Sequence, residues 1–257
     1  MNETVINAIE FINVSKHYSN NLNEREKAAV KNLCLTVKSG EVHGFLGHNG
    51  AGKTTAIKMA TKLISPTSGE IKIFGRFAAD SEYLEKTAYI AESVNFYQFL
   101  TPVEIMNYYI SLNPASFGGT PKASLRDKIS DSLNETGLLK WKDAAVEKFS
   151  KGMRQRLALA LCLLREPDLL ILDEPGSGLD PDGISLLLKI IEKFKKNSKT
   201  VFFSSHHISE IERVCDRVSI IKYGELLETI DLADYKNKPA GVEARYLELM
   251  RSEKSEI

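Results

Sequence analysis

A glycine-rich segment, Gly47 to Thr54, constrains the fold of this chain more than any other part of its sequence. It fits the pattern G-x-x-x-x-G-K-[ST] without a gap. In that pattern, glycines let consecutive backbone N–H groups turn toward an anion, and the helix that follows adds the positive end of its dipole. The lysine reaches the terminal phosphates of a nucleotide, and the last hydroxyl binds Mg²⁺. The segment therefore predicts a phosphate-binding loop, with nucleotide contacts from Gly47, Asn49, Gly50, Ala51, Gly52, Lys53, Thr54 and Thr55.

The alternative for this segment is a glycine-rich turn followed by a solvated lysine. Its surroundings favour the phosphate loop, because the apolar residues 42–46 predict a strand before it and residues 53–64 predict a helix after it. That order of strand, loop and helix is the context in which the pattern binds phosphate.

Two carboxylates follow an apolar run later in the chain. Residues 169–172 are all Leu or Ile, and Asp173 and Glu174 come directly after them. A buried parallel strand delivers the residues at its carboxyl end to the ligand crevice of the sheet. Asp173 is thus expected to hold Mg²⁺, and Glu174 to orient or deprotonate the attacking water. The alternative is a strand that ends at a charged, solvent-exposed turn.

Strands alternate with helices along most of the chain, which predicts an α/β fold. We expect a P-loop NTPase core with a mostly parallel sheet, flanking helices and an N-terminal antiparallel β portion. An α-helical subdomain is expected to be inserted at about residues 93–165. The whole ATPase domain is predicted to span residues 1–227, with a helical C-terminal tail at 228–257.

Composition excludes several classes of protein. Lys plus Arg and Asp plus Glu both number 34, which argues against a protein that binds nucleic acid through phosphate contacts. Three scattered cysteines indicate a reduced, cytoplasmic protein. The first residues lack the basic and apolar regions of a secretory signal. The longest apolar run, residues 157–164, is far shorter than the roughly 20 residues that span a bilayer.

Five further stretches resemble the ABC (ATP-binding cassette) ATPase family, from about Phe11 to Leu227. Residues 149–156, Phe-Ser-Lys-Gly-Met-Arg-Gln-Arg, are similar to the family signature LSGGQQQR. Residues 177–180 match its SGLD turn, and Ser-Ser-His at 204–206 matches its switch histidine. Tyr18 stands where the family has an aromatic residue that stacks on adenine, and Glu92 stands at its usual glutamine position. With the phosphate loop and the two carboxylates, these motifs follow one another in the family's order.

The resemblance implies a transport motor. In the family, the signature edge of one chain closes over the nucleotide of a second, so that two chains enclose two ATP molecules head to tail. It implies that Ser150, Gly152 and Asp180 contact the partner's nucleotide or the dimer seam, that His206 contacts the γ-phosphate, and that Glu92 contributes to the metal site. The implied partners are a second ATPase subunit, expected to be an identical copy, and a separate multi-span transmembrane subunit. The chain would then lie on the inner face of the cell membrane.

Two of the positions at which the signature departs from the family pattern flank its kept glycine. Lys151 replaces its first glycine and Met153 its glutamine, whereas Gly152 is kept. This form, together with Glu92, resembles a subgroup of bacterial and archaeal exporters, so export is expected. Glu92 keeps oxygen donors for a metal but adds a negative charge.

Two other functions remain as alternatives. A soluble ABC-type ATPase without a membrane partner usually carries two cassettes or a long coiled coil, and this sequence shows neither. A simple phosphate-loop kinase or GTPase would leave the signature, the SGLD turn and the histidine unexplained. For a transport motor, Phe96, Tyr97, Phe99 and Leu100 are the predicted contact with the membrane subunit; packing between lobe and sheet is the alternative for these residues.

Overall fold

The computed structural model describes residues 7–18, 27–77, 86–112, 117, 121–235 and 241–251. Its strands form two sheets. The smaller sheet has the order β2-β1-β4-β5, and all its pairs are antiparallel. The larger sheet has the order β10-β9-β3-β8-β7-β6, in which every pair is parallel except β10 with β9. This architecture confirms the predicted fold class.

The strands and helices have the following bounds. The strands are β1 (Asn7–Tyr18), β2 (Lys27–Lys38), β3 (Val42–Leu46), β4 (Ser68–Ile73), β5 (Arg76–Phe77), β6 (Thr87–Ile90), β7 (Leu169–Leu172), β8 (Thr200–Ser205), β9 (Arg217–Lys222) and β10 (Glu225–Asp231). The helices are α1 (Lys53–Ala60), α2 (Pro102–Leu112), α3 (Lys122–Glu135), α4 (Lys151–Arg165), α5 (Pro181–Lys196), α6 (Ile208–Val214) and α7 (Gly241–Arg251).

The central strands of the larger sheet are buried on both faces. Side chains alternate along a strand, so Leu169 and Ile171 of β7 pack on the side of the smaller sheet and α1. Leu170 and Leu172 pack on the opposite side, against α4 and α5. An apolar run with no polar alternation, such as residues 169–172, is what a strand covered on both faces requires.

The helices between β6 and β7 have an apolar cluster of their own. Met106 of α2, Leu133 of α3 and Leu157 of α4 are fully buried in it. Helix α2 starts with a capping box, because the backbone N–H of Thr101 donates to the Glu104 carboxylate (2.8 Å) and the N–H of Glu104 donates to the Thr101 hydroxyl (3.3 Å). None of the helices in the described ranges combines the length and apolar character needed to cross a bilayer.

Helix α1 is one turn shorter than expected, ending at Ala60 rather than near residue 64. Lys62 takes the left-handed conformation (φ 60°), and the N–H of Leu63 donates to the Lys58 carbonyl (2.9 Å). This is the Schellman ending, which usually uses glycine at the left-handed position. With a lysine there, the sequence gives no signal for the early stop.

The C-terminal part begins as a strand and ends as a helix. The predicted tail boundary at residue 228 falls inside β10, which pairs with β9 as far as Asp231. Helix α7 then packs back on the core through the buried Val242. Residues 252–257 of the predicted tail lie outside the described residues.

A buried histidine joins three strands at the core of the larger sheet. His43 of β3 is fully buried, with Nδ1 2.8 Å from Oε1 of Glu41 and Nε2 2.8 Å from Oγ of Ser219. A carboxylate can only accept, so Nδ1 carries the proton and Nε2 accepts from the Ser219 hydroxyl. The hydroxyl group of Thr229 extends this series of hydrogen bonds, with its Oγ1 2.8 Å from Oγ of Ser219. Burial lowers the pKa of His43, although the hydrogen bond to Glu41 opposes the shift. The ring is therefore neutral in the folded protein.

This network predicts an acid-sensitive contribution to stability. Below about pH 6.5, the unfolded chain takes up a proton that folded His43 does not, so the free energy of unfolding falls as the pH falls. For one proton the slope approaches about 1.4 kcal/mol per pH unit. His43→Gln keeps a donor and an acceptor but cannot titrate, so its urea-unfolding free energy should fall less steeply. Parallel curves for parent and variant between about pH 7.5 and about pH 5 would contradict the assignment.

Candidate functional site

The glycine-rich loop between β3 and α1 has two positions that only glycine can occupy. Gly52, the last residue before α1, has φ 110°, and a Cβ there would lie 2.5 Å from the carbonyl oxygen of Ala29. At Gly47, a Cβ would lie 2.5 Å from the carbonyl oxygen of Ile221. Helix α1 has neither a side-chain cap nor an acidic residue in its first turn. Its N-terminus therefore keeps its positive end for an anion.

The ammonium group of Lys53 lies inside this loop. The side chain is buried, with Nζ 2.5 Å from the Gly47 carbonyl oxygen and 3.2 Å from that of His48. The same Nζ lies 2.9 Å from Oε1 of Glu174. Asn49 and Gly50, at the tip of the loop, are exposed. Lys53 thus joins the loop to the carboxylates at the end of β7.

Asp173 lies against two hydroxyl groups from different elements. Its Oδ1 accepts from Oγ1 of Thr54 (3.1 Å), in the first turn of α1, and from Oγ of Ser204 (2.8 Å), in β8. Burial raises the pKa of Asp173, and the negative charges of Glu174 and Glu92 raise it further. The hydrogen bonds from Ser204 and Thr54 lower it, but by less. A carboxylate whose charge is this poorly compensated gains from a nearby cation, and Thr54 offers a further oxygen donor. These residues fit a magnesium ion.

Glu174 is held on both sides by positively charged or protonatable groups. Its Oε2 lies 2.7 Å from Nδ1 of His206, and its Oε1 faces Lys53. Glu174 itself has φ 46°, an uncommon conformation for a residue other than glycine. His207 stacks on His206 with ring centroids 4.0 Å apart, but it is His206 that contacts the carboxylate. A base and a histidine thus lie beside the loop that would hold phosphate.

Ser204 is a site residue that sequence reasoning did not identify. Its hydroxyl donates to Asp173 and accepts from the backbone N–H of Glu174 (2.9 Å), so one side chain holds the Asp173 carboxylate and the backbone of Glu174. Its neighbour Ser205 donates to Glu210, a buried carboxylate at the start of α6 (2.7 Å). The available signal was a pair of serines that ends an otherwise apolar strand, in a sheet whose carboxyl ends line the crevice.

The remaining predicted site residues lie apart from this cluster. Ser150 caps α4 by accepting from the N–H of Met153 (3.2 Å), and Asp180 caps α5 by accepting from the N–H of Gly183 (2.8 Å). Gly152 lies next to Leu179, and Asp180 is 3.4 Å from Nη2 of Arg156. Within the described residues, neither Ser150 nor Gly152 makes a hydrogen bond to the glycine-rich loop. The signature and the SGLD turn form a second surface.

Tyr18 and Glu92 occupy the ends of two strands. Tyr18 ends β1 and is 45% exposed, with Nζ of Lys16 5.5 Å from its ring centroid. Glu92 follows β6 and is exposed; its Oε1 accepts from Oγ of Ser177 at 3.4 Å. The structure therefore joins Lys53, Thr54, Asp173, Glu174 and His206 through direct contacts. Among the described residues, no hydrogen bond links Tyr18, Ser150, Gly152 or Asp180 to that cluster.

Comparison with known proteins gives consistent matches. The family model described as "ABC transporter" matches residues 30–177. The bacitracin transport ATP-binding protein BcrA of Bacillus licheniformis is 43% identical over 230 residues, covering 88% of this chain and 71% of BcrA. A solved structure of an ATP-binding subunit of an ABC transporter superposes with a TM-score of 0.82 at 29% identity, covering 95% of this chain and 100% of that one. MJ0796, a bacterial ABC transporter cassette solved as a dimer, superposes with a TM-score of 0.79 at 25% identity, covering 87% and 98%.

The role of Ser204 gives a prediction that needs no ligand. Ser204→Ala leaves the buried N–H of Glu174 without its acceptor and removes a donor from Asp173. The free energy of unfolding should fall by about 1–3 kcal/mol in urea titrations. Ser68→Ala, at an exposed serine that begins β4, is the matched control and should change it by less than about 0.5 kcal/mol. Equal effects of the two substitutions would show that Ser204 does not hold the carboxylates.

Proposed function

Because the chain belongs to the ABC transporter family, as an ATP-binding subunit that hydrolyses ATP, we propose that it powers export through a separate multi-span transmembrane subunit. The observation that carries the site assignment is the cluster of Lys53, Thr54, Asp173, Glu174 and His206 at one edge of the parallel sheet. It supports a hydrolytic site in which the loop binds the phosphates, Asp173 binds the metal ion and Glu174 orients or deprotonates the attacking water.

Each residue of the cluster has a distinct role in this proposal. Lys53 exchanges the carbonyl oxygens of Gly47 and His48 for phosphate oxygens, which are better partners because they carry charge. Glu174 orients or deprotonates the attacking water, and His206, 2.7 Å away, holds that carboxylate and contacts the γ-phosphate. Thr54 and Asp173, together with Glu92, would hold Mg²⁺. The ion would neutralise charge on the phosphate oxygens.

The adenine end of the site is proposed at Tyr18. An exposed aromatic ring at the end of a strand offers a flat face, and base stacking on such a face is worth about 1–3 kcal/mol. The loop contacts of Asn49, Gly50, Ala51 and Thr55 complete the proposed nucleotide site.

The second surface supports pairing of two copies. Ser150 is exposed at the start of α4, a 15-residue helix whose first turn contains no acidic residue. Such a helix N-terminus attracts phosphate, yet it makes no contact with the chain's own loop in the described residues. We therefore propose that Ser150 and Gly152 close over the nucleotide of a partner copy, with Asp180 at the seam. The dimeric cassette MJ0796 supports this arrangement.

Two substitutions separate binding from hydrolysis. Glu174→Gln should bind ATP but hydrolyse it at least about 100-fold more slowly, because the attacking water loses its base. Trapped ATP should then shift the variant from monomer to dimer in size-exclusion chromatography with light scattering. Lys53→Ala should neither bind ATP nor form the dimer, and serves as the comparison. A Glu174→Gln variant that stays monomeric with ATP and turns over at the parent rate would refute the mechanism.

The contact with a membrane subunit is proposed at an aromatic surface next to α2. Tyr97 is 57% and Phe99 is 74% exposed, and Tyr108 of α2 packs edge-on against Tyr97, with ring centroids 6.0 Å apart. Phe96 and Leu100 point inward and pack on the apolar cluster of the lobe. The predicted patch thus divides into two partly buried and two exposed residues, and exposed aromatic residues in one place are typical of binding surfaces. Binding there would keep the chain on the cytoplasmic face of the membrane.

The double variant Tyr97→Ser/Phe99→Ser tests this surface. In detergent extracts, the parent chain should copurify with a hydrophobic multi-span polypeptide, and the double variant should lose at least about 90% of it because the two aromatic side chains that the contact would bury are gone. ATP hydrolysis by the isolated chain should stay within about twofold of the parent. Phe77→Ser, at a 48% exposed phenylalanine of β5, controls for loss of surface hydrophobicity. Undiminished copurification of the double variant would place the contact elsewhere.

A further inference from the structure

Lys151 and Glu92, two charged residues at positions where the family has uncharged ones, lie at opposite ends of a short series of hydrogen bonds. Nζ of Lys151 donates to Oγ of Ser177 at 3.2 Å, and that hydroxyl donates to Oε1 of Glu92 at 3.4 Å. The three residues come from the start of α4, the SGLD turn and the segment after β6. Lys151 is 26 residues from Ser177, and Ser177 is 85 residues from Glu92. Only the fold brings these three residues together.

The lysine stem is held in place by the backbone of the turn. Gly178 has φ 77°, and a Cβ built on it would lie 2.9 Å from Cδ and 3.2 Å from Cε of Lys151. The aliphatic part of Lys151 therefore lies across Gly178, in space that any side chain there would occupy. This contact limits where the ammonium group can go and directs it toward Ser177.

Glu92 brings an additional negative charge to a site that already has two. Burial, followed by the charges of Glu174 and Glu92, raises the pKa of Asp173. A glutamine at this position would supply an oxygen donor without that charge. Lys151, where the family has a glycine, supplies a positive charge one hydroxyl group away. The two departures thus place opposite charges on either side of the Ser177 hydroxyl.

We propose that Lys151 is a positioning residue that competes with Mg²⁺ for the carboxylate of Glu92. This inference rests on the proposed metal site at Thr54, Asp173 and Glu92. While Glu92 accepts from Ser177, beside the ammonium group of Lys151, its charge is partly compensated and it attracts a cation less strongly. Metal binding through Oε1 of Glu92 would require that oxygen to leave Ser177.

The competition has a structural consequence at the signature edge. Two polar contacts join α4 to the SGLD turn, one from Lys151 to Ser177 and one from Arg156 to Asp180. If Glu92 leaves Ser177, the Ser177 hydroxyl loses its acceptor and becomes free to reorient. The contact between Lys151 and Ser177 then changes. Coupling of this kind is reciprocal, so whatever moves α4 away from the turn also frees Glu92 for the metal. Metal loading and the position of the signature edge are therefore linked.

A double-mutant cycle measures this competition without turnover. Lys151→Met keeps the stem over Gly178 and removes the charge, and Glu92→Gln restores the family residue. A fluorescent, non-hydrolysable ATP analogue is titrated at increasing MgCl₂, which gives the apparent Mg²⁺ dissociation constant. Lys151→Met should lower that constant about two- to tenfold, because a positive charge near the carboxylate is removed. In the Glu92→Gln background, the same substitution should leave it unchanged.

Two further variants serve as controls. Lys151→Arg keeps the positive charge and should restore a value close to that of the parent. Lys148→Met removes a charge from an exposed lysine three residues earlier and should leave the Mg²⁺ constant at the parent value. The competition is refuted if Lys151→Met has no effect, or if its effect is equal with Glu92 and with Gln at that position. Weaker binding of the analogue in both backgrounds would instead assign Lys151 to a phosphate contact, and so overturn the proposal.

The same titrations distinguish an error in the proposed metal site from an error in the role of Lys151. If the parent chain binds the analogue independently of both Mg²⁺ and Lys53, the metal site itself is wrong and the competition falls with it. If the parent shows Mg²⁺-dependent binding that Lys53→Ala abolishes, but the cycle shows no coupling, only the role of Lys151 is wrong.

Discussion

The register of three parallel strands determines where every group of the candidate site lies. Leu46 of β3 is opposite Ser205 of β8, and Leu172 of β7 is opposite Phe203. The residues that leave these strands, the phosphate loop, the two carboxylates and His206, therefore emerge at one edge. A slip of one residue in any strand would turn its side chains to the other face of the sheet. Both faces are closely packed, so a slipped strand would present side chains of the wrong size and shape to each face, and core packing therefore also fixes the geometry of the site.

The site that results is one in which negative charge exceeds what the protein itself compensates. Asp173 and Glu174 are buried side by side, and Glu92 adds its charge from the next strand. Lys53 contacts Glu174, whereas the Asp173 carboxylate has, among the described residues, the hydroxyl groups of Thr54 and Ser204 as its partners. Hydroxyl groups can orient a carboxylate, but they cannot neutralise it. A buried carboxylate left in this state is costly for the fold and useful for binding a cation. Its location beside a phosphate loop suits a metal–nucleotide complex.

Local motifs could be predicted from the sequence, because their chemistry depends on residues close together in the chain. The phosphate loop needs glycine where the backbone takes φ 110° and a lysine directly after it, and both are visible in the sequence. Ser204 could not be assigned in this way, since its partners Asp173 and Glu174 are about 30 residues away and meet it only through strand pairing. The early end of α1 was missed for another reason. Lys62 takes a conformation that its residue type disfavours, so no local signal marks the stop.

The signature residue Lys151 illustrates how a departure from a pattern can be explained only in three dimensions. In the sequence it is a long charged side chain at a position where the family has glycine. In the structure, its stem lies along Gly178 and its charge faces Ser177. Glu92, an apparent change at the metal site, ends the same chain of contacts. A charge added at one motif is therefore matched by an opposite charge at another. The two positions are joined by hydrogen bonds through Ser177.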